Sequence, residues 1–183
     1  MARPRRNATV IQMIVAMVVI FVPIIVITRL FTIDPEPAVN VVDYRPLAVV
    51  AAGEASFPVL APENLPEGWV ATRARWIPAG QRAVGGDPVP ADTWQLGLLS
   101  PQQSYVALDQ RAPAAPAFVE EVTRGGKAAG SSEVAGQSWG RYVSQDGRTR
   151  SLVGVEGDAT TIVSGDLPFE ALEAFASTLA PVA

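Results

Sequence analysis

Residues 93–100 (TWQLGLLS) and 104–111 (SYVALDQR) give the clearest strand signal in the chain. Apolar residues alternate in both stretches: Trp94, Leu96 and Leu98 in the first, and Val106 and Leu108 in the second. A period of two is typical of strands with one buried face, and the short segment around Pro101 supplies a turn between them. The pair therefore predicts an antiparallel β-hairpin.

Downstream of this hairpin, three further short stretches predict strands: 137–144 (QSWGRYVS), 151–156 (SLVGVE) and 159–164 (ATTIVS). They are separated by Asp146-Gly147 and by Gly157-Asp158, which are strong signals for tight turns. This pattern predicts a meander of antiparallel strands.

Upstream of the hairpin, residues 69–77 (WVATRARWI) alternate in character and predict a further strand. If the alternation is unbroken, Arg73 and Arg75 share a face with Trp69, and that face is half buried.

Two segments predict helices. In 115–123, Phe118, Val119 and Val122 form one apolar stripe, and glycines end it. Near the C-terminus, apolar residues recur at three- and four-residue spacing: Phe169, Leu172, Phe175, Ala176 and Leu179. The glycine-rich stretch that runs from 125 to Ser132 is expected to be flexible. The predicted fold is α+β, with an antiparallel sheet of about six strands and one or two packed helices.

The N-terminal part has a different composition. Residues 10–28 are apolar except at Gln12 and Thr28, and as a helix these 19 residues roughly cross the hydrocarbon core of a bilayer. A cleaved signal peptide is the alternative, but its apolar region is usually shorter, about 7–15 residues, and ends at a small-residue site that is absent here. The sequence predicts an uncleaved transmembrane helix.

Three arginines precede the span and one follows it, so the positive-inside rule places the N-terminus in the cytoplasm. The expected layout is a cytoplasmic basic tail at 1–9, a transmembrane helix at 10–28, a linker and lead-in at 29–56, and an extracytoplasmic domain at 57–183. The expected location is the cell membrane, in single-pass form.

Charge and composition exclude several function classes. All 18 Asp and Glu residues lie in the part of the chain that begins at Asp34, against 10 of the 14 Lys and Arg residues, so this part has a net charge of about −8. That sign argues against nucleic acid as a partner. The chain contains no His and no Cys, which removes the usual nucleophile and base pairs and the preferred ligands of transition metals. We expect no enzyme activity, cofactor or metal.

Side chains that could contact a partner are arginines and tryptophans of the predicted strands. We select Arg73, Arg75, Trp139 and Arg141, which could meet an anionic envelope polymer or a sugar. Tryptophans in the strands of a small domain are, however, more often part of its core.

The order of the motifs resembles an actinobacterial family of uncharacterised membrane-anchored proteins, a domain of unknown function. The resemblance covers most of the chain and rests on the arginine-rich start, the span and five phrases. These phrases are 61–69 (APENLPEGW), 94–97 (WQLG), 105–108 (YVAL), 136–139 (GQSW) and 162–165 (IVSG). The resemblance implies no activity and no catalytic residues.

The expected function is therefore a membrane-anchored, non-enzymatic module that binds a protein or an envelope component. Its oligomeric state is left open. A domain that carries a small lipid or glycan is the alternative. A carboxylate-based hydrolase is the third possibility, and it would require convergent buried carboxylates with shifted pKa values.

Overall fold

The computed structural model describes residues 6–31, 40–82 and 86–183, and within the first range it describes side chains at 12–24. The chain divides into two units, residues 1–39 and 40–183. Helix α1 (Arg6–Phe31) belongs to the first unit and contains Pro23. Among the described residues, no helix combines the length and apolarity that crossing a membrane requires. The span predicted at 10–28 extends beyond the described side chains at both ends, so it stays a prediction.

Parts of three other predicted segments also fall outside the described ranges. They are residues 1–5 of the basic tail, 32–39 of the linker and 83–85 of the domain.

The described residues of the second unit form three helices and nine strands. The helices are α2 (Arg45–Glu54), α3 (Pro116–Val122) and α4 (Phe169–Ala176). The strands are β1 (Leu60–Pro62), β2 (Val70–Ile77), β3 (Asp92–Leu99), β4 (Tyr105–Ala112), β5 (Lys127–Val134), β6 (Gln137–Val143), β7 (Arg150–Glu156), β8 (Ala159–Gly165) and β9 (Leu179–Pro181).

Seven of these strands form one antiparallel sheet in the order β2-β3-β4-β8-β7-β6-β5. Two meanders, β2 to β4 and β5 to β8, meet where β4 pairs with β8, with Leu108 opposite Val163. A second sheet contains β1 and β9 alone. The α+β prediction is confirmed, and the predicted hairpin is β3–β4, with Leu96 opposite Leu108.

The sheet has one more strand than the six predicted. The additional strand is β5, most of which had been expected to be flexible. Its sequence, KAAGSSEV, lacks an apolar alternation because β5 is an edge strand whose first five residues are exposed. Only Ser132 and Val134 of this strand are buried. An exposed edge strand needs few apolar side chains, which explains the missing signal.

One face of the large sheet, which we call the covered face, packs against α2, α4 and the β1–β9 pair. Trp94, Leu96 and Leu108 lie on this face and are fully buried. From α4, Leu172 and Phe175 pack onto them, as the predicted stripe required. This layer is the main hydrophobic core, and its burial is the main source of stability.

Helix α2 lies within the lead-in that was predicted at 29–56. Ala48 and Ala51 on this helix are buried in the core, as is Tyr44 just before it. The Tyr44 hydroxyl donates a hydrogen bond of 2.7 Å to the carbonyl of Pro62. The domain unit therefore begins at Asn40, upstream of the boundary predicted at 57.

The prediction that Trp69 shares a face with Arg73 and Arg75 is wrong. The register of β2 against β3 shifts between Ala71 and Arg73, which marks a β-bulge at Thr72. The extra residue reverses the alternation, because side chains on opposite sides of a bulge no longer follow a period of two. Trp69 consequently stacks on Phe175 of the covered face, while Arg73 lies on the other face.

Candidate functional site

On the second face of the large sheet, which we call the open face, α3 is the only helix among the described residues. Phe118 of α3 packs on Ile162 and Val153 there, and this contact forms a small second core. The remainder of the open face is left without a covering element among the described residues. Any concave site on the sheet is therefore expected on this side.

Small residues line up across the open face. The strand registers place Gly97 beside Ala107, Ala107 beside Ser164, and Ser164 beside Ser151. We call these four residues the small-residue row. Arg73 pairs with Gly97 at one end of the row, and Tyr142 pairs with Ser151 at the other. Because side chains stand roughly perpendicular to a sheet, a row of small ones leaves a trough between its bulkier neighbours.

A cavity of about 360 Å³ lies over this trough, between the sheet and α3. Ala107, Ser164 and Gly165 contribute to its floor. Three carboxylates and two guanidinium groups line it, and these are Asp109, Glu121, Asp166, Arg73 and Arg124. The cavity is therefore polar and carries both signs of charge.

Asp109 is the most buried ionisable side chain of the cavity, with 5% of its surface exposed. Burial raises the pKa of its carboxyl group, the charge of Glu121 adds to this, and a hydrogen bond from Gln95 and the charges of Arg73 and Arg111 oppose it. The Gln95 amide donates to Asp109 Oδ1 at 2.8 Å. Asp109 Oδ2 accepts no hydrogen bond from the described residues.

Arg73 lines the same cavity and carries an unmatched donor. Its Nε is buried but has no hydrogen-bond partner among the described residues, and the same is true of Ser151 Oγ in the small-residue row. Leaving a buried polar group unsatisfied costs about 1–3 kcal/mol, so such groups are uncommon in folded proteins. Both of these groups lie on the open face.

Hydroxyl groups surround these charges. Tyr105 lies against Gly97, so that a Cβ built at Gly97 would come within 3.0 Å of the Tyr105 Cζ. Tyr105 is nevertheless 43% exposed, which leaves part of its ring open at the cavity. Thr149 donates to Asp166 at 2.8 Å, whereas the Tyr105 and Ser164 hydroxyls make no hydrogen bond within the described part of the chain.

The far side of the cavity is closed by α3. Arg111 lies 4.3 Å from the centre of the Phe118 ring and 3.7 Å from the Glu121 carboxylate. The Arg111 Nε also donates to Thr93 at 3.1 Å. These contacts hold Arg111 against the sheet and α3. It therefore supports the side of the cavity that α3 forms, and few of its hydrogen-bond donors are left for a ligand.

The four residues predicted as partner contacts do not come together. Arg73 and Arg75 occupy the open face, opposite Gly97 and Gln95. Trp139 is buried in the main core, with 5% of its surface exposed. Arg141 pairs with Leu152, which places it on the covered face. Of the four, only Arg73 lines the cavity.

Arg141 has a structural partner in α4. Its guanidinium donates to Glu173 at 2.6 Å and to the Ser132 hydroxyl, which itself donates to Glu173 at 2.6 Å. It also lies 4.9 Å from the centre of the Phe169 ring. The cluster joins α4 to β5 and β6. It engages the guanidinium of Arg141, which was predicted to contact a partner.

Sequence reasoning did not identify Asp109, Tyr105 or Ser164 as candidate site residues. The sequence did contain one signal. Asp109 and Gln110 follow the apolar run of β4, and polar residues are uncommon at the buried positions of a central strand. The Gln110 side chain lies on the covered face, where it accepts a hydrogen bond from the Leu60 amide and donates one to the Thr161 hydroxyl. Asp109 lies on the open face and lines the cavity.

Within the described ranges, no group of three or more side chains could hold a metal ion. The model of a family described as a protein of unknown function (DUF4245) matches residues 5–179. No curated protein matches the chain. One similar solved structure is titled "The complex structure of Pseudomonas aeruginosa MucA/MucB", with 19% identity and a TM-score of 0.39. The match covers 68% of this chain and 35% of that one, so this chain spans about a third of its length.

Proposed function

The chain belongs to the DUF4245 family of proteins of unknown function, and from that premise we propose that it is a membrane-anchored, non-enzymatic module that binds a component of the cell envelope. Residues 10–28 act as the anchor in the lipid bilayer, and the domain lies outside the cytoplasm. The observation that carries the binding assignment is the cavity over the small-residue row, where Arg73 and Asp109 keep unused hydrogen-bonding capacity.

Of the two partner classes that the sequence left open, the cavity favours a hydrophilic envelope component over a folded protein. Protein interfaces have a buried apolar centre and usually exceed 1,000 Å². Among the described residues that line the cavity, seven of 11 are polar or charged, and Tyr105 is the only exposed large hydrophobic one. The same polarity disfavours a lipid tail as cargo.

A carboxylate-based hydrolase is the second candidate, and the raised pKa of Asp109 is the observation that favours it. In that reading Asp109 acts as a general acid and Glu121 as the second carboxylate. Glu121 is engaged by Arg111 at 3.7 Å, which favours binding over catalysis. The hydrolase reading predicts that an envelope component is cleaved on incubation and that Asp109→Asn abolishes the cleavage.

The binding assignment is tested with a photoreactive amino acid that replaces Tyr105 in the full chain, expressed in its own membrane. The matched control carries the same group in place of Glu170, an exposed residue of α4. We expect irradiation to attach a non-peptide envelope component at position 105 and not at 170, with a lower yield when Ala107→Leu fills the cavity. Equal yields at the two positions, no adduct at 105, or a protein adduct there would overturn the assignment.

The anchor is tested separately by protease digestion of intact spheroplasts and of detergent-lysed ones. We expect the domain to be cleaved in intact spheroplasts while a tag before Met1 survives. Protection of the domain until lysis would contradict the proposed orientation.

A further inference from the structure

We infer that the ligand of the cavity is an uncharged sugar unit of an envelope glycan, held through its hydroxyl groups. This inference rests on the proposed function, since it names the chemical class that the same cavity takes. It follows from the size of the cavity, the arrangement of its charges, its unused hydrogen-bonding groups and one aromatic ring.

Size limits the ligand first. Ligand sites typically enclose about 300–1,000 Å³, and about 360 Å³ is at the lower end of this range. The floor is made of residues with very short side chains, Ala107, Ser164 and Gly165. A compact ring fits over such a floor, whereas a folded partner would insert only a single side chain.

The charges limit the ligand next. An anionic ligand would meet Asp109, Glu121 and Asp166, and a cationic one would meet Arg73 and Arg124. Like charges brought together in a partly buried site repel strongly. A hydroxyl group both donates and accepts a hydrogen bond, so a neutral polyhydroxylated ring satisfies carboxylates and guanidinium groups at once.

The unused groups have the polarity that such a ring requires. The terminal nitrogens of Arg73 are donors and Asp109 Oδ2 is an acceptor, and none of these atoms forms a hydrogen bond with the described residues. Hydrogen bonds with one charged partner are stronger than those between neutral groups. Neighbouring hydroxyls of one sugar can supply an acceptor to Arg73 and a donor to Asp109.

Tyr105 supplies an aromatic surface at the same place. Gly97 permits its ring to lie close to the sheet, and 43% of the residue stays exposed. An aromatic ring with a polar tip offers an apolar face and a hydrogen-bonding hydroxyl. The C–H face of a sugar ring can pack on the apolar part while its hydroxyls reach the charged groups.

The test uses the full chain in lipid nanodiscs prepared without sugar-based detergents. Saturation-transfer NMR is recorded with neutral probes, namely maltose, cellobiose, lactose and the disaccharide of N-acetylglucosamine. Glucuronic acid and glucosamine serve as an anionic and a cationic probe. We expect at least one neutral disaccharide to bind more tightly than both charged probes.

Variants locate the binding. Arg73→Ala and Asp109→Asn are each expected to weaken binding of the preferred disaccharide about tenfold, the loss of one charged hydrogen bond. Ala107→Leu fills the cavity and is expected to abolish binding, with unchanged tryptophan emission as the check on folding. Arg148→Ala removes an exposed arginine outside the cavity and is the matched control, for which we expect no change.

Three results would overturn the inference: tighter binding of a charged probe, undiminished binding by Ala107→Leu and Arg73→Ala, or no binding of any neutral sugar. The last of these, together with a non-peptide adduct at position 105, would reject the sugar while leaving the proposed function intact. Absence of both signals would reject the two together.

Discussion

The indole of Trp69 lies parallel to the phenyl ring of Phe175, with ring centroids 5.6 Å apart and 5° between the planes. The contact joins the start of β2 to α4 across the covered face. Trp69 ends the phrase APENLPEGW, and Gly68 before it has a φ of +77°, a backbone conformation that favours glycine. The phrase therefore turns the chain so that its tryptophan meets the last helix.

Removing this stack is expected to destabilise the domain. Trp69→Ala should lower the free energy of unfolding by about 2 kcal/mol, below the 3–5 kcal/mol typical of a fully buried tryptophan, because Trp69 is partly exposed. Trp69→Phe keeps a ring on Phe175 and should lose less than half as much. Urea unfolding followed by tryptophan emission measures both, since all four tryptophans lie in the domain. Equal losses for the two variants would show that stacking is not the cause.

A second prediction concerns Gly154 of β7, where a side chain would collide with the core. A Cβ at this position would lie 2.9 Å from the indole of Trp139. Gly154→Ala should lower stability by about 1–3 kcal/mol through overpacking. Gly53→Ala in α2 is the control, because a Cβ there meets nothing within 4 Å and alanine favours the helix by about 0.5–1 kcal/mol. We expect the midpoint of thermal unfolding to fall for Gly154→Ala and to rise for Gly53→Ala. Shifts of the same sign in both variants would contradict the prediction.

Asp109 should make the stability depend on pH in a defined direction. Its folded-state pKa is raised by burial, so the folded state binds more protons than the unfolded chain between the two pKa values. Stability therefore falls as pH rises from the unfolded value, about 3.9, through the raised folded value.

Asp109→Asn keeps an oxygen for the Gln95 amide but removes the buried charge. We expect this variant to be more stable than the natural chain at neutral pH, and the gain should disappear towards pH 3. Unfolding midpoints across this pH range test it. A loss of stability at neutral pH would show that the ionised carboxylate is net favourable in the fold.

Glu173 should act with the opposite sign. The hydrogen bond from Ser132 and then the charge and hydrogen bond of Arg141 lower its pKa. Its contribution is present above the unfolded pKa, about 4.3, and is lost as pH falls through the lowered folded value. Glu173→Gln should cost about 1 kcal/mol at neutral pH, where an ionised partner of Arg141 is lost.

The exposed Glu120 of α3 provides a matched control for Glu173, and Glu120→Gln should change stability by less than about 0.5 kcal/mol. The difference between the Glu173 variant and the natural chain should shrink below pH 4. If it is constant across the pH range, the pair with Arg141 is not what the substitution removes.

Much of the fold could be predicted because local patterns agree with the tertiary structure. The hairpin around Pro101 and the turns at Gly147 and Gly157 are found. The closing helix is also found, but α4 ends at Ala176, and Leu179, which was predicted on its apolar stripe, lies in β9. The family resemblance is confirmed as membership of a family of unknown function. Strand β5 was missed because its edge position removes the need for apolar residues.

The candidate site could not be predicted in the same way. Arg73 was selected from the sequence for its charge, but its place on the open face depends on the bulge at Thr72. Arg141 was selected on the same ground, yet Glu173, 32 residues away, engages it. Side-chain type identifies a charge, whereas only its neighbours decide whether that charge is available.

The sequence by itself determined the α+β class, the hairpins and their turns, because a period of two or of 3.6 residues and the φ preferences of glycine act within a few neighbouring residues. Only the tertiary structure decided that β4 pairs with β8, which brings Ala107 beside Ser164 and creates the trough under the cavity. Ala107 and Ser164 lie 57 positions apart in the sequence, so no local pattern predicts their pairing. Burial of Leu108 and Val163 in the main core favours it.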